Sequence, residues 1–270
     1  MLLAAAWEND GTNMTDIIDT RASDGDVSTN LRGQVAVIIG GSAGIGLALA
    51  RELDSRGCRV VVASRDCNRV DEAVGSLAGA IGFPNCDITD PDAIRRLFDF
   101  VVEQFGGVDI VVISAGIGRG RNTPAGRLLP VANMDEEEWD EVLNTNLRGA
   151  FLTCRAAVPL MIEQGGGQIL GISSARGAVK GQACVSAYCA SKMGARAMFQ
   201  SLAKELQPHG IRVMSVLPDA VETSLIAGAT IGPLGAMQPD DVGQFMADML
   251  AMPMDGAVVE PVVVPLGADR

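Results

Sequence analysis

Short apolar runs alternate with longer stretches of mixed apolar and polar residues along most of this chain. Six β-branched runs have the length of a strand, and a weaker seventh leads into the sequence NCD. These seven predicted strands span residues 35–40, 59–64, 79–83, 108–114, 167–173, 211–218 and 257–264. The stretches between them carry apolar residues at spacings of three and four, which predicts helices over residues 45–55, 68–77, 91–105, 135–163, 187–207 and 239–250.

The alternation of strands and helices indicates the class of fold. Helical crossovers between strands favour parallel pairing, and near-continuous apolar runs fit strands that are buried on both faces. We therefore predict a three-layer, doubly wound α/β fold around a mostly parallel, seven-stranded sheet. Residues 1–32 lack a clear periodicity and are predicted to form a flexible N-terminal extension, whereas residues 33–270 form one domain.

Charge and cysteine usage narrow the classes of partner. The formal net charge of −12 argues against nucleic acid, whose phosphates require a basic face. The six cysteines form no C-x-x-C pair and have no metal-ligand spacing with the single histidine, His209. We therefore expect free thiols in the cytoplasm and no bound metal. No apolar run in the sequence approaches the roughly 20 residues that span a bilayer, so we expect no membrane partner.

The first predicted strand ends in the glycine-rich sequence VIIGGSAGIG, residues 37–46. Glycines at Gly40, Gly44 and Gly46 allow a tight turn, close approach of the backbone to a pyrophosphate, and close contact between helix and strand. The following helix supplies unpaired N–H groups and a partial positive charge at its N-terminus. Such turns also occur as plain packing features, but a position in the first βα unit favours a dinucleotide site.

The end of the second predicted strand bears on the choice of nucleotide. An acidic residue there would accept hydrogen bonds from the ribose of NAD, whereas this chain has Ser64 and Arg65. An arginine can make a planar, charge-assisted contact with the 2′-phosphate of NADP, and the serine can donate a hydrogen bond to it. A solvated arginine at a strand end is the alternative interpretation. The charge favours NADP(H), with NAD(H) left as the second possibility.

The single tyrosine of the chain, Tyr188, lies four residues before Lys192. On a helix these two positions share a face, and an ammonium group beside a phenol lowers the pKa of the phenol from about 10. A tyrosine needs such a shift to act as proton donor and acceptor. Because Y-x-x-x-K is common on helix surfaces, its weight comes from Ser173 and Ser174, which end a buried strand at the ligand-binding edge of the sheet.

Taken together, these motifs resemble the short-chain dehydrogenase/reductase family, in its single-domain Rossmann-fold branch, from about residue 34 to residue 265. Several ordered motifs at the spacing of the family are more specific than any one of them. The resemblance rests on the glycine turn, Asp87, Ser114-Ala115-Gly116, Asn144-Thr145-Asn146, Ser173-Ser174, Tyr188 with Lys192, and Pro218-Asp219.

The resemblance implies a role for each catalytic residue. Tyr188 would donate a proton to a substrate carbonyl as the nicotinamide delivers hydride, or accept it during oxidation. Lys192 would hold the nicotinamide ribose and lower the pKa of Tyr188, and Ser174 would hydrogen-bond the carbonyl oxygen. Asn146 would anchor a water that replenishes the proton. Ser173 is the alternative to Ser174, because the interval from Ser174 to Tyr188 is one residue longer than the family usually has.

The resemblance also implies the contacts with the cofactor. Asp87 and Ile88 would border the adenine, and Val221 and Thr223 the nicotinamide amide. The complete predicted set is Gly40, Ser42, Gly44, Ile45, Gly46, Ser64, Arg65, Asp87, Ile88, Ser114, Ala115, Gly116, Tyr188, Lys192, Pro218, Asp219, Val221 and Thr223.

Four positions depart from the family pattern. The family usually has Thr at Ile39, Asn-Asn at Ile113 and Ser114, Gly at Asp219, and often Asn at Met214. We predict that Ile39 and Ile113 replace a polar tie between neighbouring strands by apolar packing, because changing both partners together can be nearly neutral. Asp219 either contacts a polar substrate or points to solvent.

Two loops border the substrate side in the family. Arg119, Arg121 and Arg127 lie in the first, where they either bind an anionic group or are solvated, as loop arginines usually are. The second, between Thr223 and Pro239, is the expected substrate lid, and its short, apolar sequence suggests a site that is fairly open or has a small cap. His209 is expected to be structural, in a turn before a strand.

The function predicted by this resemblance is an NADP-dependent oxidoreductase that interconverts a secondary alcohol and a ketone, with a small-molecule substrate. An NAD-linked alcohol dehydrogenase on the same scaffold is the alternative among enzymes. A nucleotide-binding scaffold or regulatory protein without turnover is the alternative from another class. The family further implies a homodimer or homotetramer, built by pairing the long helices that carry Asn146 and Tyr188.

Overall fold

The computed structural model describes residues 31–120, 129–226, 235–254 and 260–265. In these ranges seven strands form one sheet in the order β3-β2-β1-β4-β5-β6-β7, and all of its strand pairs are parallel. The strands are β1 (Val35–Ile39), β2 (Arg59–Ala63), β3 (Ile81–Phe83), β4 (Ile110–Ile113), β5 (Gly167–Ile172), β6 (Ile211–Pro218) and β7 (Val262–Val263). The predicted doubly wound Rossmann fold is confirmed. Part of the predicted last strand, residues 257–259, lies outside the described residues.

Seven α-helices connect these strands within the described ranges. They are α1 (Gly44–Ser55), α2 (Cys67–Gly75), α3 (Pro91–Phe105), α4 (Glu136–Leu143), α5 (Gly149–Gln164), α6 (Ser186–Leu206) and α7 (Pro239–Ala251). Local sequence sets several of their ends. The carboxylate of Asp66 caps α2 by accepting from the amide of Arg69 at 3.1 Å, and Asp90 caps α3 in the same way, followed by Pro91 in the first turn.

The predicted helix over residues 135–163 is wrong as a single α-helix. A π-helical turn, Asn144–Arg148, separates α4 from α5. A second π turn, Arg176–Lys180, lies between β5 and α6 and was not predicted. Apolar spacing could not reveal these turns, because one wider turn hardly changes which positions face the core. Such turns often occur at functional sites, and both of these lie beside the carboxyl end of the sheet.

The sheet is covered on both faces, as the apolar strands predict. One core cluster packs β1, β4 and β5 against α3, α5 and α6, and the other packs the opposite face against α1, α2 and α7. Leu31 is fully buried in the second cluster. The division of the chain at residue 32 remains a prediction, and residues 1–30 lie outside the described residues.

His209 lies in a short 3₁₀ turn, Gln207–His209, directly before β6, as expected. Among the described helices, none combines the length and the apolar character needed to cross a membrane.

Candidate active site

A cleft opens at the carboxyl ends of the strands, where β1 is flanked by β2 on one side and β4 on the other. The amides of Ser114 and Ala115 both donate to the carbonyl of Ile39 at 2.9 Å, and the amide of Gly40 donates to Ala63 at 2.8 Å. The chain runs outward in opposite directions from this point of the sheet, which is where open α/β sheets bind ligands. The cleft has a volume of about 310 Å³.

The glycine turn forms one wall of this cleft. Gly40 has a φ of +83°, and a Cβ there would lie 2.5 Å from the amide nitrogen of Ala115. A Cβ on Gly46 would overlap the carbonyl of Gly40, so this glycine serves the contact between turn and helix. The helix α1 begins after Ala43, which has no capping side chain, and its first turn contains no acidic residue. The N–H groups at this end are therefore suited to an anion such as a pyrophosphate.

The turn is tied directly to the end of β2. The hydroxyls of Ser42 and Ser64 are hydrogen-bonded to each other at 2.8 Å. Both residues line the cleft. The arrangement places a hydroxyl pair between the predicted pyrophosphate position and the predicted ribose position.

Two arginines line the cleft at its β2 end. Arg65 is about half exposed, and its guanidinium lies 3.8 Å from the carboxylate of Asp87. Arg69, in the first turn of α2, lies 3.5 Å from the carboxylate of Asp66. Sequence reasoning missed Arg69, although a helix that starts directly after β2 must present its first turn to the same cleft. The acidic Asp66 also lines the cleft, but its carboxylate is engaged in capping α2.

The predicted cofactor residues mostly meet at the cleft. The described wall contains Gly40, Ser42, Gly44, Ile45, Ser64, Arg65, Ile88, Ser114, Ala115, Gly116, Tyr188, Lys192, Pro218, Asp219, Val221 and Thr223. Gly46 and Asp87 are outside this set. The carboxylate of Asp87 accepts from the amide and the hydroxyl of Thr89, each at 2.8 Å, so at this point Cys86 and Ile88 face the cleft instead.

Ser174 is the serine that meets the tyrosine. Both side chains line the cleft. Burial raises the pKa of the Tyr188 phenol, and the nearby Ser174 side chain partly offsets this by lowering it. Ser174 Oγ also accepts from the amide of Gly177 at 3.0 Å. The hydroxyl of Ser173 instead donates to the carbonyl of Lys192 at 3.3 Å, so the geometry favours Ser174 over its alternative.

Lys192 is buried at the bottom of the same site. Its ammonium group donates to the carbonyl of Ile172 at 2.8 Å and lies 5.9 Å from the centroid of the Tyr188 ring. Burial lowers the pKa of this ammonium group to about 8. The expected lowering of the Tyr188 pKa by Lys192 is not found, since burial dominates and the pKa of the phenol is raised overall.

Asn146, in the first π turn, forms hydrogen bonds with two neighbouring segments of the site. Its amide nitrogen donates to the carbonyl of Ile117 at 2.8 Å and to the hydroxyl of Ser191 at 3.0 Å. Its oxygen accepts from the amide of Ile117 at 2.8 Å. The side chain therefore ties the segment after β4 to α6. The predicted role in holding a water remains a prediction.

Gly116 leaves room for the side chains of Asn146 and Lys192 beside it. A Cβ on Gly116 would lie 3.2 Å from Asn146 Oδ1 and 3.3 Å from Lys192 Nζ. Any side chain here would press on both polar groups at once. Gly116 therefore fits the space left beside Asn146 and Lys192.

The two isoleucines that depart from the family pattern are partners across the sheet. Ile39 of β1 pairs in register with Ile113 of β4. Both are almost fully buried, and both belong to the same core cluster. The predicted exchange of a polar tie for apolar packing is consistent with this pairing. Met214 is likewise buried in the opposite cluster.

The side chain of Asp219 is mostly buried, and another residue of the protein binds its carboxylate. Its carboxylate forms an ion pair with Arg176 of the second π turn. Asp219 lines the cleft. Sequence reasoning did not predict this partner, because 43 residues separate the two side chains along the chain.

The substrate side of the cleft is only partly within the described residues. Arg119 is half-buried, and Arg121 and Arg127 lie outside the described residues. Leu225 and Ile226, at the start of the expected lid, line the cleft, whereas residues 227–234 also lie outside. The apolar composition of the lid predicts apolar residues at this end of the cleft, but it does not predict which of them face it.

Known proteins are similar to this chain over most of their length. Residues 34–231 match the family model described as short chain dehydrogenase. The chain is 34% identical over 213 residues to a D-threitol dehydrogenase of Mycolicibacterium smegmatis, which covers 78% of each protein. A metagenomic short-chain oxidoreductase solved in complex with NADP is 34% identical, with a TM-score of 0.73 over 87% of this chain and 98% of that one. A 7α-hydroxysteroid dehydrogenase complexed with NADH and 7-oxo glycochenodeoxycholic acid is 25% identical, with a TM-score of 0.79 over 90% of this chain and 98% of that one.

Proposed function

The chain belongs to the short-chain dehydrogenase family, and on this premise we propose that it is an NADP-dependent oxidoreductase that interconverts a secondary alcohol and a ketone. The observation that carries the proposal is that Ser174, Tyr188 and the buried Lys192 lie together in the wall of a cleft suited to a dinucleotide. A packing role alone would give no reason for a serine, a tyrosine and a buried lysine to meet there.

The residues of the site divide the work of carbonyl reduction. Because burial raises the pKa of Tyr188, its phenol stays protonated at neutral pH and can donate a proton to a carbonyl oxygen. Ser174 donates a hydrogen bond to the same oxygen and stabilises its developing charge. The ammonium of Lys192 adds a nearby positive charge. The bound nicotinamide supplies or accepts the hydride.

The glycine turn, the α1 N-terminus and the Ser42–Ser64 pair would hold the pyrophosphate and the adjoining ribose. Arg65 and Arg69 would hold a 2′-phosphate, because both line the cleft at the end of β2. A guanidinium group binds phosphate through planar, charge-assisted hydrogen bonds. NAD is the alternative, since the neighbouring carboxylates of Asp66 and Asp87 partly offset the two positive charges.

Cofactor preference can be tested with Arg65→Ala and Arg69→Ala. We expect the Kd for NADPH, measured by fluorescence titration, to rise about 10-fold or more in each variant, since a charge-assisted hydrogen bond contributes about 1.5–3 kcal/mol. The Kd for NADH should change less than about twofold. Arg95→Ala, which removes an exposed arginine of α3, serves as the matched control. Equal losses for both nucleotides would argue against recognition of a 2′-phosphate.

The reaction can be tested by following NADPH consumption with a panel of ketones, aldehydes and sugar-like carbonyls, with NADH in parallel. A four-carbon ketose belongs in this panel because one relative is named for oxidation of D-threitol. Turnover of a ketone supports the proposal. Tight NADPH binding without turnover of any carbonyl or alcohol would support the alternative of a nucleotide-binding scaffold.

We also propose that the protein forms a homodimer or homotetramer in the cytoplasm. Phe151 on α5 and Met193 on α6 are large apolar side chains that are 48% and 43% exposed. Burying them between copies would remove apolar surface from water. The six cysteines are all free thiols, which is typical of a reducing compartment. Size-exclusion chromatography with light scattering of the wild type and of Phe151→Glu tests the assembly.

A further inference from the structure

The segment after Ser174 contacts both Ser174 and Tyr188. Ser174 Oγ accepts from the amide of Gly177, and the amide of Ala178 donates to the carbonyl of Ser174 at 2.9 Å. A Cβ on Gly177 would lie 2.7 Å from Cε1 of Tyr188. The turn therefore touches the serine through hydrogen bonds and the tyrosine ring through van der Waals contact.

This turn lies in a part of the chain that is longer than the resemblance implies. The interval between Ser174 and Tyr188 is one residue longer than the family usually has, and a π turn, Arg176–Lys180, occupies its first part. A π turn places one more residue in a turn than an α-helix does. A longer segment also has more conformations to lose on folding. Some contact must therefore select the conformation that places Ser174 beside Tyr188.

An ion pair supplies such a contact. Arg176 of the π turn pairs with Asp219, which directly follows β6. The two side chains are only 33% and 19% exposed, so the pair is less weakened by solvent than a surface ion pair. Asp219 stands where the family usually has glycine. The ion pair thus joins Asp219 to a turn inside the longer interval.

The backbone of Asp219 is held in place by a neighbouring strand. The amide of Asp219 donates to the carbonyl of Val263 in β7 at 2.8 Å. The same C-terminal segment carries Glu260, whose carboxylate binds Arg196 at 2.8 Å. Arg196 in turn donates to the carbonyl of Ala178, in the π turn, at 3.0 Å. The turn is therefore held at two points, and both lead to the short C-terminal segment.

We propose that Arg176 and Asp219 are positioning residues for the reaction: their ion pair holds the π turn so that Ser174 faces Tyr188. This inference rests on the proposed function for its effect on turnover. Neither residue needs to touch the substrate for the pair to act. The glycine of the family pattern could not provide this contact.

The first experiment compares Arg176→Ala, Asp219→Asn and the double variant. We expect each single variant to lower kcat about 10-fold, since a small displacement of a catalytic group has effects of this order. The double variant should be no slower than either single one, because removal of one partner already breaks the pair. In Arg176→Ala the Kd for NADPH should stay within about twofold, since Arg176 is not among the described residues that line the cleft. Lys180→Ala, which removes an exposed cation from the same turn, is the control and should match the wild type.

A second measurement does not depend on turnover. Hydrogen–deuterium exchange of peptides covering residues 174–180 should become about 10-fold faster in Arg176→Ala and Asp219→Asn, and stay unchanged in Lys180→Ala. An unchanged exchange rate in the first two variants would overturn the proposal that the Arg176–Asp219 ion pair holds the turn. Faster exchange with an unchanged kcat would overturn its role in positioning. If the wild type turns over no substrate, the proposed function fails. The exchange result still decides whether the Arg176–Asp219 ion pair holds the turn.

Discussion

Gly177 lies directly against the ring of Tyr188. A Cβ at this glycine would come within 2.7 Å of Cε1 of the ring and 3.3 Å of Cβ of Lys192. Neither atom is the far end of a flexible chain, since Cβ of Lys192 adjoins the backbone and Cε1 of Tyr188 belongs to a rigid ring. The space beside the Tyr188 ring is therefore limited to a hydrogen atom.

We predict that Gly177→Ala lowers kcat about 10²-fold, because the added methyl group must displace the tyrosine ring from Ser174. NADPH binding, measured by fluorescence titration, should persist. Gly75→Ala on α2 is the matched control, since a Cβ there meets nothing within 4 Å, and its kinetics should equal those of the wild type. Full activity in Gly177→Ala would show that the ring position is not critical.

The second prediction concerns Ile39 and Ile113. Ile39→Thr or Ile113→Asn alone would bury a polar group between apolar neighbours and should lower the free energy of unfolding by about 1–3 kcal/mol. In the double variant the two polar side chains can bond to each other, so its loss should be smaller than the sum of the single losses. Urea denaturation of the four proteins measures this coupling. Strict additivity would contradict the idea of an exchanged pair.

The third prediction uses the burial of Lys192, which lowers the pKa of its ammonium group from 10.5 to about 8. Between these two values the unfolded chain holds a proton that the folded protein has lost, so this group makes stability rise with pH there. Below pH 8 the folded protein carries the full cost of the buried charge. Lys192→Met should therefore raise the free energy of unfolding at pH 7 by about 1–3 kcal/mol, after the loss of one hydrogen bond, while abolishing turnover.

Urea denaturation at pH 7 and pH 10 checks this prediction. The gain from Lys192→Met should shrink at pH 10, where the folded protein no longer carries the charge. Lys204→Met, at an exposed position of the same helix, should change stability little at either pH. A variant of Lys192 that is less stable than the wild type at pH 7 would show that the charge contributes to folding.

Much of the site follows from the order of residues along the chain. The glycine turn and the pair Tyr188 and Lys192 are predictable because parallel strands bring their carboxyl ends to one edge of the sheet. The strand order of the family also brings Ile39 beside Ile113. Each of these relationships depends on local patterns and on the topology they specify.

Other relationships depend on packing that no local pattern encodes. The ion pair between Arg176 and Asp219 joins residues from two different crossovers. The π turn around Asn146 leaves the apolar periodicity of its helix nearly unchanged. The direction of the Tyr188 pKa shift is the balance of burial against a hydrogen bond, so it can be read only once the surroundings of the phenol are known.

The central claim is that Tyr188 is the proton donor of an NADPH-dependent carbonyl reductase. The most direct measurement is kcat for NADPH oxidation by the wild type and by Tyr188→Phe, with the ketone that the wild type reduces best. We predict that kcat falls by about 10²–10⁴-fold, while the Kd for NADPH changes less than about twofold. Turnover of that ketone at the wild-type rate by Tyr188→Phe would contradict this account.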